Sequence, residues 1–412
     1  MKTIPVLRNR PGFFLILLLS IMVNSALAQD VDPGDTHNAE IVEDVETSEA
    51  DSTKEESEPN GKTENSKKDR LGGYKILPIP IFVTEPAIGK GLGVAIALFH
   101  PVKDGADSMP RATTPTSIGH MEDERQAPPV VSGVFGAYTS SKTWAAGVGH
   151  MNNWREDHIR YAGALASARI NSKFYVLGLP LKFTLDGKFI YQDIKFRIKD
   201  SDIFLGMSLS YLDADNEFSL DLPGDPPAQV LESDFRDVGM AATGSYDSRD
   251  NTMNPNEGQL VNLSLWRYDE AIGGNFDYWS AKFKALSFHH FHDKFTLGLR
   301  LEVSAVSGQP PFYGYPWVKL RGIPAMRYQD ELAGAVEVEG RFQLAPKWEV
   351  LGFAGKGFTS GDNPLFENPG NIHNIGVGAR FKVIEAQNVW MGLDVAKGNE
   401  DWNWYIQVGH PW

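Results

Sequence analysis

From Leu71 onward the chain alternates between apolar and polar positions. Phe295, Leu297, Leu299, Leu301 and Val303 alternate with Thr296, Gly298, Arg300, Glu302 and Ser304, while Val336, Val338, Gly340 and Phe342 alternate with Glu337, Glu339, Arg341 and Gln343. Ile375, Val377, Ala379 and Phe381 do the same against Asn374, Gly376, Gly378 and Arg380. A period of two puts one set on each face of a strand, so each strand has an apolar face and a charged one. A soluble antiparallel sandwich and a membrane barrel both meet that description. Three features favour the barrel. The segments run to roughly ten residues, about the length that crosses a bilayer on a tilted strand. Charged faces recur in strand after strand, which suits a wet lumen, and Trp, Tyr and Phe gather near segment ends, as in an interfacial girdle. Counting segments between turn signals gives about sixteen strands. The first is expected over residues 74–85 and the last over 403–412. The expected fold is therefore all-β, a transmembrane antiparallel β-barrel over residues 71–412, with an even strand count returning both of its ends to one side.

The residues before the barrel set the orientation. Lys2, Arg8 and Arg10 precede an apolar run over 13–23 and then Ala26-Leu27-Ala28, the order of a Sec signal peptide over residues 1–28. A retained anchor helix would need about 18–20 apolar residues, more than this run offers. Residues 29–70 are dense in Asp, Glu, Ser and Asn, too polar to bury enough surface to offset ordering, and read as a disordered acidic periplasmic leader. The expected location is the cell outer membrane, in contact with its lipids, with both termini periplasmic. By strand parity the polar, proline-punctuated connection 103–129 also faces the periplasm, and it is long for a turn on that side. A net charge of −14 makes a nucleic-acid partner a poor expectation. The absence of cysteine excludes disulfides, thiolate zinc sites and a catalytic thiol.

The first strand contains Leu77-Pro78-Ile79-Pro80-Ile81. Proline lacks a backbone N–H, and residues two apart direct their hydrogen-bonding groups to the same neighbour, so both missing donors face one side. Proline is seldom found in an interior ladder. The expectation is that Pro78 and Pro80 turn toward the closing strand, which carries Pro411 and Trp412, and that the barrel has a weak seam there. The seam could take the strand edge of a client or of a second copy; the plainer reading is that two prolines blunt an edge near the rim.

Particular residues resemble a known family. Leu320-Arg321-Gly322-Ile323, in the expected sixth outer loop, resembles the Val-Arg-Gly-Phe loop motif of the bacterial surface antigen family, the outer-membrane barrels of BamA and TamA type. Tyr246-Asp247-Ser248-Arg249-Asp250-Asn251, followed by Pro255 and Gly258, is similar to the family's turn after the eighth strand, and Glu339-Gly340-Arg341 to its Glu-x-Arg. Leu393-Asp394-Val395-Ala396 and residues 405–412 look like its closing segments. The resemblance implies a loop folded back into the lumen, its arginine bonded to inward carboxylates. Glu339 is the first expected partner of Arg321 and Glu337 the second; otherwise Arg321 is an ordinary solvated loop residue. Two departures stand out. Gly355 occupies the position where the family's Phe-x-Asp-x-Gly pattern has its acid, so Asp394 is expected to substitute. The leader is also too short and polar for the POTRA domains that the family's insertion and secretion members carry.

No Gly-x-Ser-x-Gly, His-Glu-x-x-His or phosphate-loop motif is present. His289, His290 and His292 could suggest a metal, but turn histidines beside Asp293 and Lys294 more often meet water. Asp247 and Asp250 lack the spacing of a calcium loop and read as salt-bridging turn residues. No cofactor, metal or catalytic residue is expected. The resulting reading is a barrel that assists insertion or translocation of another protein through its seam, with client proteins or a second copy as partners. The alternatives are a passive pore or structural barrel and, disfavoured for want of a nucleophile motif, an outer-membrane enzyme.

Overall fold

The computed structural model describes residues 74–83, 88–100, 128–176, 179–220, 228–252, 254–366, 369–384, 389–400, 402–408 and 412. The expected signal peptide and leader, most of the 103–129 connection and Pro411 lie outside them. Sixteen antiparallel strands follow one another around a single sheet. They are β1 (Lys75–Val83), β2 (Gly91–Phe99), β3 (Val131–Thr139), β4 (Trp144–Trp154), β5 (Ile159–Val176), β6 (Leu179–Arg197), β7 (Ile203–Leu220) and β8 (Ala228–Asp247). The second half comprises β9 (Gly258–Tyr268), β10 (Asp277–His292), β11 (Phe295–Gln309), β12 (Leu332–Ala345), β13 (Trp348–Ser360), β14 (Ile372–Ile384), β15 (Val389–Lys397) and β16 (Trp402–Val408). The count agrees with the alternation. Strand lengths depart from the uniform ten or so residues expected, because β5 to β8 run to 18–20 residues and overreach their neighbours.

The alternation sorts the side chains. Leu92, Val94, Ile96, Met207, Leu263, Val338, Val377 and Leu393 are exposed on the outer wall, where hydrocarbon meets them. The inner wall is not the wet, charged bore expected from the sequence. Ile79, Ile81, Ala95, Ala97, Phe99, Ala168, Ile170 and Leu185 form a buried apolar cluster across the first strands. The largest group of charged inner residues is on β11 to β15, where Arg300, Glu337, Glu339, Arg341, Arg380 and Asp394 are all buried, with Asp193, Asp237 and Asp247 buried on β6 and β8. The physical reason is filling. The connection between β11 and β12 folds inward, and its Tyr313, Trp317, Ala325 and Met326 join the apolar cluster. Alanines on the wall leave room for those larger side chains.

The sheet runs from β1 to β16 with a ladder at every consecutive step, and among the described residues no ladder joins β16 back to β1. The β1–β2 register is continuous, pairing Pro78 with Ile96, Ile79 with Ala95 and Pro80 with Val94. A continuous antiparallel ladder across two prolines requires Ile79, between them, to exchange the N–H···O=C bonds with Ala95. The donorless nitrogens of Pro78 and Pro80 therefore point away from β2.

The outer-wall assignment predicts a depth-dependent penalty for charge. Val377→Arg, in the middle of β14, is expected to cost about 2–4 kcal/mol of folding free energy in bilayers, and Ile203→Arg, at the rim of β7, about 1 or less. Urea titrations of refolding into vesicles measure both; equal costs would contradict the placement.

Candidate functional site: a braced loop inside the barrel

The inward loop is fixed at Leu320-Arg321-Gly322-Ile323. Leu320, Ile323, Val318 and Tyr328 pack with Ala333, Ala335 and Ile372. Gly322 has φ +89°, and a side chain there would collide with the backbone at Gly398, so a residue with a Cβ is excluded on conformation and on space. The hydroxyl of Tyr405 accepts from the Gly322 N–H at 2.9 Å, and the Asn374 amide donates to the Arg321 carbonyl at 2.9 Å.

These contacts aim the Arg321 guanidinium at three carboxylates. Its Nε and Nη2 donate to Glu337 Oε1 at 2.8 and 2.5 Å, Nη2 also lies 2.8 Å from Glu339 Oε2, and Nη1 donates to Asp394 Oδ2 at 2.9 Å. The guanidinium plane sits 3.3 Å from the centroid of the Phe353 ring. Glu337, Glu339 and Asp394, brought together from β12 and β15, are fully buried. Glu337, the second expected partner, accepts two of the hydrogen bonds, while Glu339, the first, contributes an ion pair. The sequence reading missed two further cations. Arg380 donates to Asp394 at 2.6 and 3.0 Å, and Arg300 approaches Glu337 at 3.4 Å while donating to the Lys319 carbonyl. Three arginines thus face three carboxylates, which offsets the burial of all six charges. The strand pairing was the signal for Arg300, since it sits opposite Glu337 across β11 and β12.

Gly355 now has a physical account. A Cβ there would meet Leu320 Cδ2 at 2.9 Å and the Asn374 side chain at 2.7 Å. The position that carries an acid in the family pattern is occupied by loop packing, and Asp394 and Arg380 close the charge cluster from the other side.

The turn after β8 is a second brace. Asp247 is buried, and its carboxylate meets Arg249 at 2.8 Å and Arg160 of β5 at 2.7 Å. Asp250 accepts from the backbone N–H of Asn256 at 3.0 Å and of Glu257 at 3.2 Å. Burial raises the Asp250 carboxyl above the usual carboxylate range, opposed by those backbone donors and by Arg341. Arg341 in turn donates to Asn254 Oδ1 and the Pro255 carbonyl, so the Glu-x-Arg strand and the turn motif are one unit. Tyr246 is exposed on the outer wall.

The seam residues divide. Pro78 and Pro80 are exposed at the free edge of β1, but Trp412, expected beside them, is elsewhere. It is buried with Leu260, Leu286 and Phe288, its ring 6.3 Å from that of Phe288 and 5.8 Å from the Arg321 guanidinium. Trp412 has turned into the lumen, where its indole packs against an apolar inner floor. His290, one of the three clustered histidines, approaches Thr296 Oγ1 at 3.1 Å.

Residues 178–369, which span β6 through β13 and contain the inward loop and the turn after β8, match the model of the Omp85 superfamily domain. The protein is a BamA/TamA-like outer-membrane barrel. Its fold is similar to that of BamA from Haemophilus ducreyi lacking POTRA domains 1-3, with TM-score 0.52 and 9% identity over 82% of this chain and 70% of that one. It is similar also to CdiB from Acinetobacter baumannii, with TM-score 0.51 and 10% identity over 81% of this chain and 59% of that one. CdiB from Escherichia coli gives 0.51 and 10% over 82% and 62%. This BamA/TamA-like chain thus spans about three fifths of each CdiB. No curated protein matches the sequence.

Removing the cation tests the brace. Arg321→Ala leaves three buried carboxylates short of a partner and is expected to cost about 3–5 kcal/mol, while Arg321→Lys, unable to fork, falls between. The temperature at which the compact gel band of the folded barrel converts to the slower unfolded one reports the loss; an unchanged temperature would mean that the loop is not held from inside.

Proposed function

We propose that this barrel assists insertion or translocation of another protein at the outer membrane through a seam between β1 and β16. The observation that supports the reading best is that, among the described residues, no ladder forms at that junction, where Pro78 and Pro80 direct donorless nitrogens away from β2. In hydrocarbon an unpaired backbone group costs several kcal/mol. An edge of that kind is relieved by another strand, so the seam favours the edge of a client protein, with a second copy of this barrel as the other candidate. The braced loop and the charge cluster hold the wall from β11 to β15 rigid while the seam opens, and the Tyr405 contact ties the loop to β16. Both termini facing the periplasm, and an acidic leader following a cleaved signal peptide, belong to this proposal as the arrangement that presents the seam to an exported chain.

A passive pore is the competing reading, and the packed lumen weighs against it. A pore of this diameter would keep an aqueous channel, whereas here the loop residues Tyr313 and Trp317 are buried among wall side chains. Planar-bilayer recordings are expected to show small, flickering conductance; a large steady conductance would favour the pore.

Locking the seam separates the readings directly, since the native chain has no cysteine. A cysteine at Pro80 paired in turn with one at each of Trp402, Asn403, Trp404 and Tyr405 identifies a disulfide that closes the gap. Oxidised protein is expected to stop accelerating the folding of an eight-stranded test barrel into vesicles, and reduction to restore it. Equal acceleration in both states would rule the seam out.

A further inference from the structure

The outer wall beside the seam carries a constellation that neither brace uses. Along β2, β3 and β4 the outward residues are apolar through Leu92, Val94, Ile96, Val134 and Val148. At the end of the barrel that holds the start of β1, the same faces turn polar at His100, Ser132, His150 and Asn152. Tyr74, Trp154 and Tyr161 surround them, with ring contacts from Tyr74 to His100 at 5.2 Å and from Trp154 to Tyr161 at 6.0 Å. Aromatic residues of this kind mark the depth at which hydrocarbon gives way to headgroups. That is also the depth of the ester carbonyls of a diacyl lipid.

Ser132 lies between two imidazoles. Its Oγ is 2.9 Å from His100 Nε2 and 2.8 Å from His150 Nδ1, and His150 Nε2 is 3.5 Å from the Asn152 side-chain nitrogen. A hydroxyl has one hydrogen to donate, so one of the two ring nitrogens accepts it and the other donates to the oxygen. With the Asn152 amide donating to Nε2, that nitrogen is the acceptor and the ring proton is on Nδ1. The direction of the relay follows: Asn152 donates to His150, His150 to Ser132, and Ser132 to His100. A serine hydroxyl held against an acceptor imidazole is the arrangement of an activated nucleophile.

We propose that Ser132, His100 and His150 form a lipid-facing acyl-hydrolase site whose substrates are the carboxylic esters of membrane lipids. Ser132 Oγ attacks the ester carbonyl carbon as its proton passes to His100 Nε2. The Nδ1–H of His150, released from Ser132, donates to the oxyanion, as a neutral imidazole can. The bond from carbon to the glycerol oxygen then breaks, and that oxygen takes the proton from His100, giving a lysolipid. Water adds to the acyl-serine, its proton returning through His100 to Ser132, and a fatty acid leaves. No oxidant or metal enters the balance. The proposal goes beyond assistance to a client protein and does not depend on it.

The full chain in phosphatidylethanolamine mixed micelles is the material for the test. It is treated with a fluorophosphonate probe, which phosphonylates activated serine hydroxyls, and released fatty acid is measured by mass spectrometry. Labelling and release are expected from the native protein and from neither Ser132→Ala nor the untreated micelles. His100→Gln, which retains a hydrogen-bonding side chain, is expected to lower the release rate about 10²–10⁴-fold, and His150→Gln about 10²–10³-fold. Heat-shifted gel migration identifies the variants that are folded, and the two histidine variants provide independent readings if Ser132→Ala is not. Native protein that neither takes the label nor releases fatty acid, or does so no more than the folded variants, would overturn the proposal.

Discussion

Within hydrocarbon a backbone N–H or C=O has no water to turn to, and every other feature of this chain is subordinate to that fact. It is why the spanning elements are strands paired with both neighbours, and why fifteen consecutive ladders run around the wall. It also gives meaning to the junction of β16 and β1, where the described residues form no ladder. Two prolines at the edge of β1 remove donors from the side facing away from β2, and the proposed seam rests on that loss.

The interior answers a different constraint, the cost of empty space and of bare charge. Small residues on β2, β4 and β5 admit the large side chains of the folded-in loop, and the result resembles the core of a soluble protein more than a channel. Charge is densest on one side, where six ionic groups from four strands and a loop neutralise one another, and a smaller set pairs around Asp247. A guanidinium cannot shed its proton, so Arg321 requires those carboxylates once the loop is inside. The loop position and the charge cluster are therefore mutually dependent, and neither would persist in its present form without the other.

The outer wall follows from the same alternation that fills the interior. Each inward alanine or aromatic is flanked by outward residues that meet lipid over the middle of the wall and aqueous surroundings beyond it. At the boundary the outward side chains become hydrogen-bonding. The row through His100, Ser132 and His150 is made there because three consecutive strands reach the boundary at the same height, which no single stretch of chain could arrange.

Much of this was legible in the amino-acid order. The period of two dictated strands, the lengths and girdle residues dictated a membrane wall, and the turn signals dictated sixteen. The prolines marked the side of β1 that faces away from β2, and the Leu-Arg-Gly-Ile loop with Glu337, Glu339 and Asp394 identified a set of residues that the fold does bring together. What the sequence could not decide was partnership across long separations. Alternation says which face a residue occupies but not which other strand's residue it meets. Hence the apolar filling of the first half, the entry of Arg300 and Arg380 into the charge cluster, the turning of Trp412 into the lumen and the meeting of His100, Ser132 and His150 depended on the closed curvature of the sheet. That curvature is a property of all sixteen strands packed at once, and only the tertiary structure contains it.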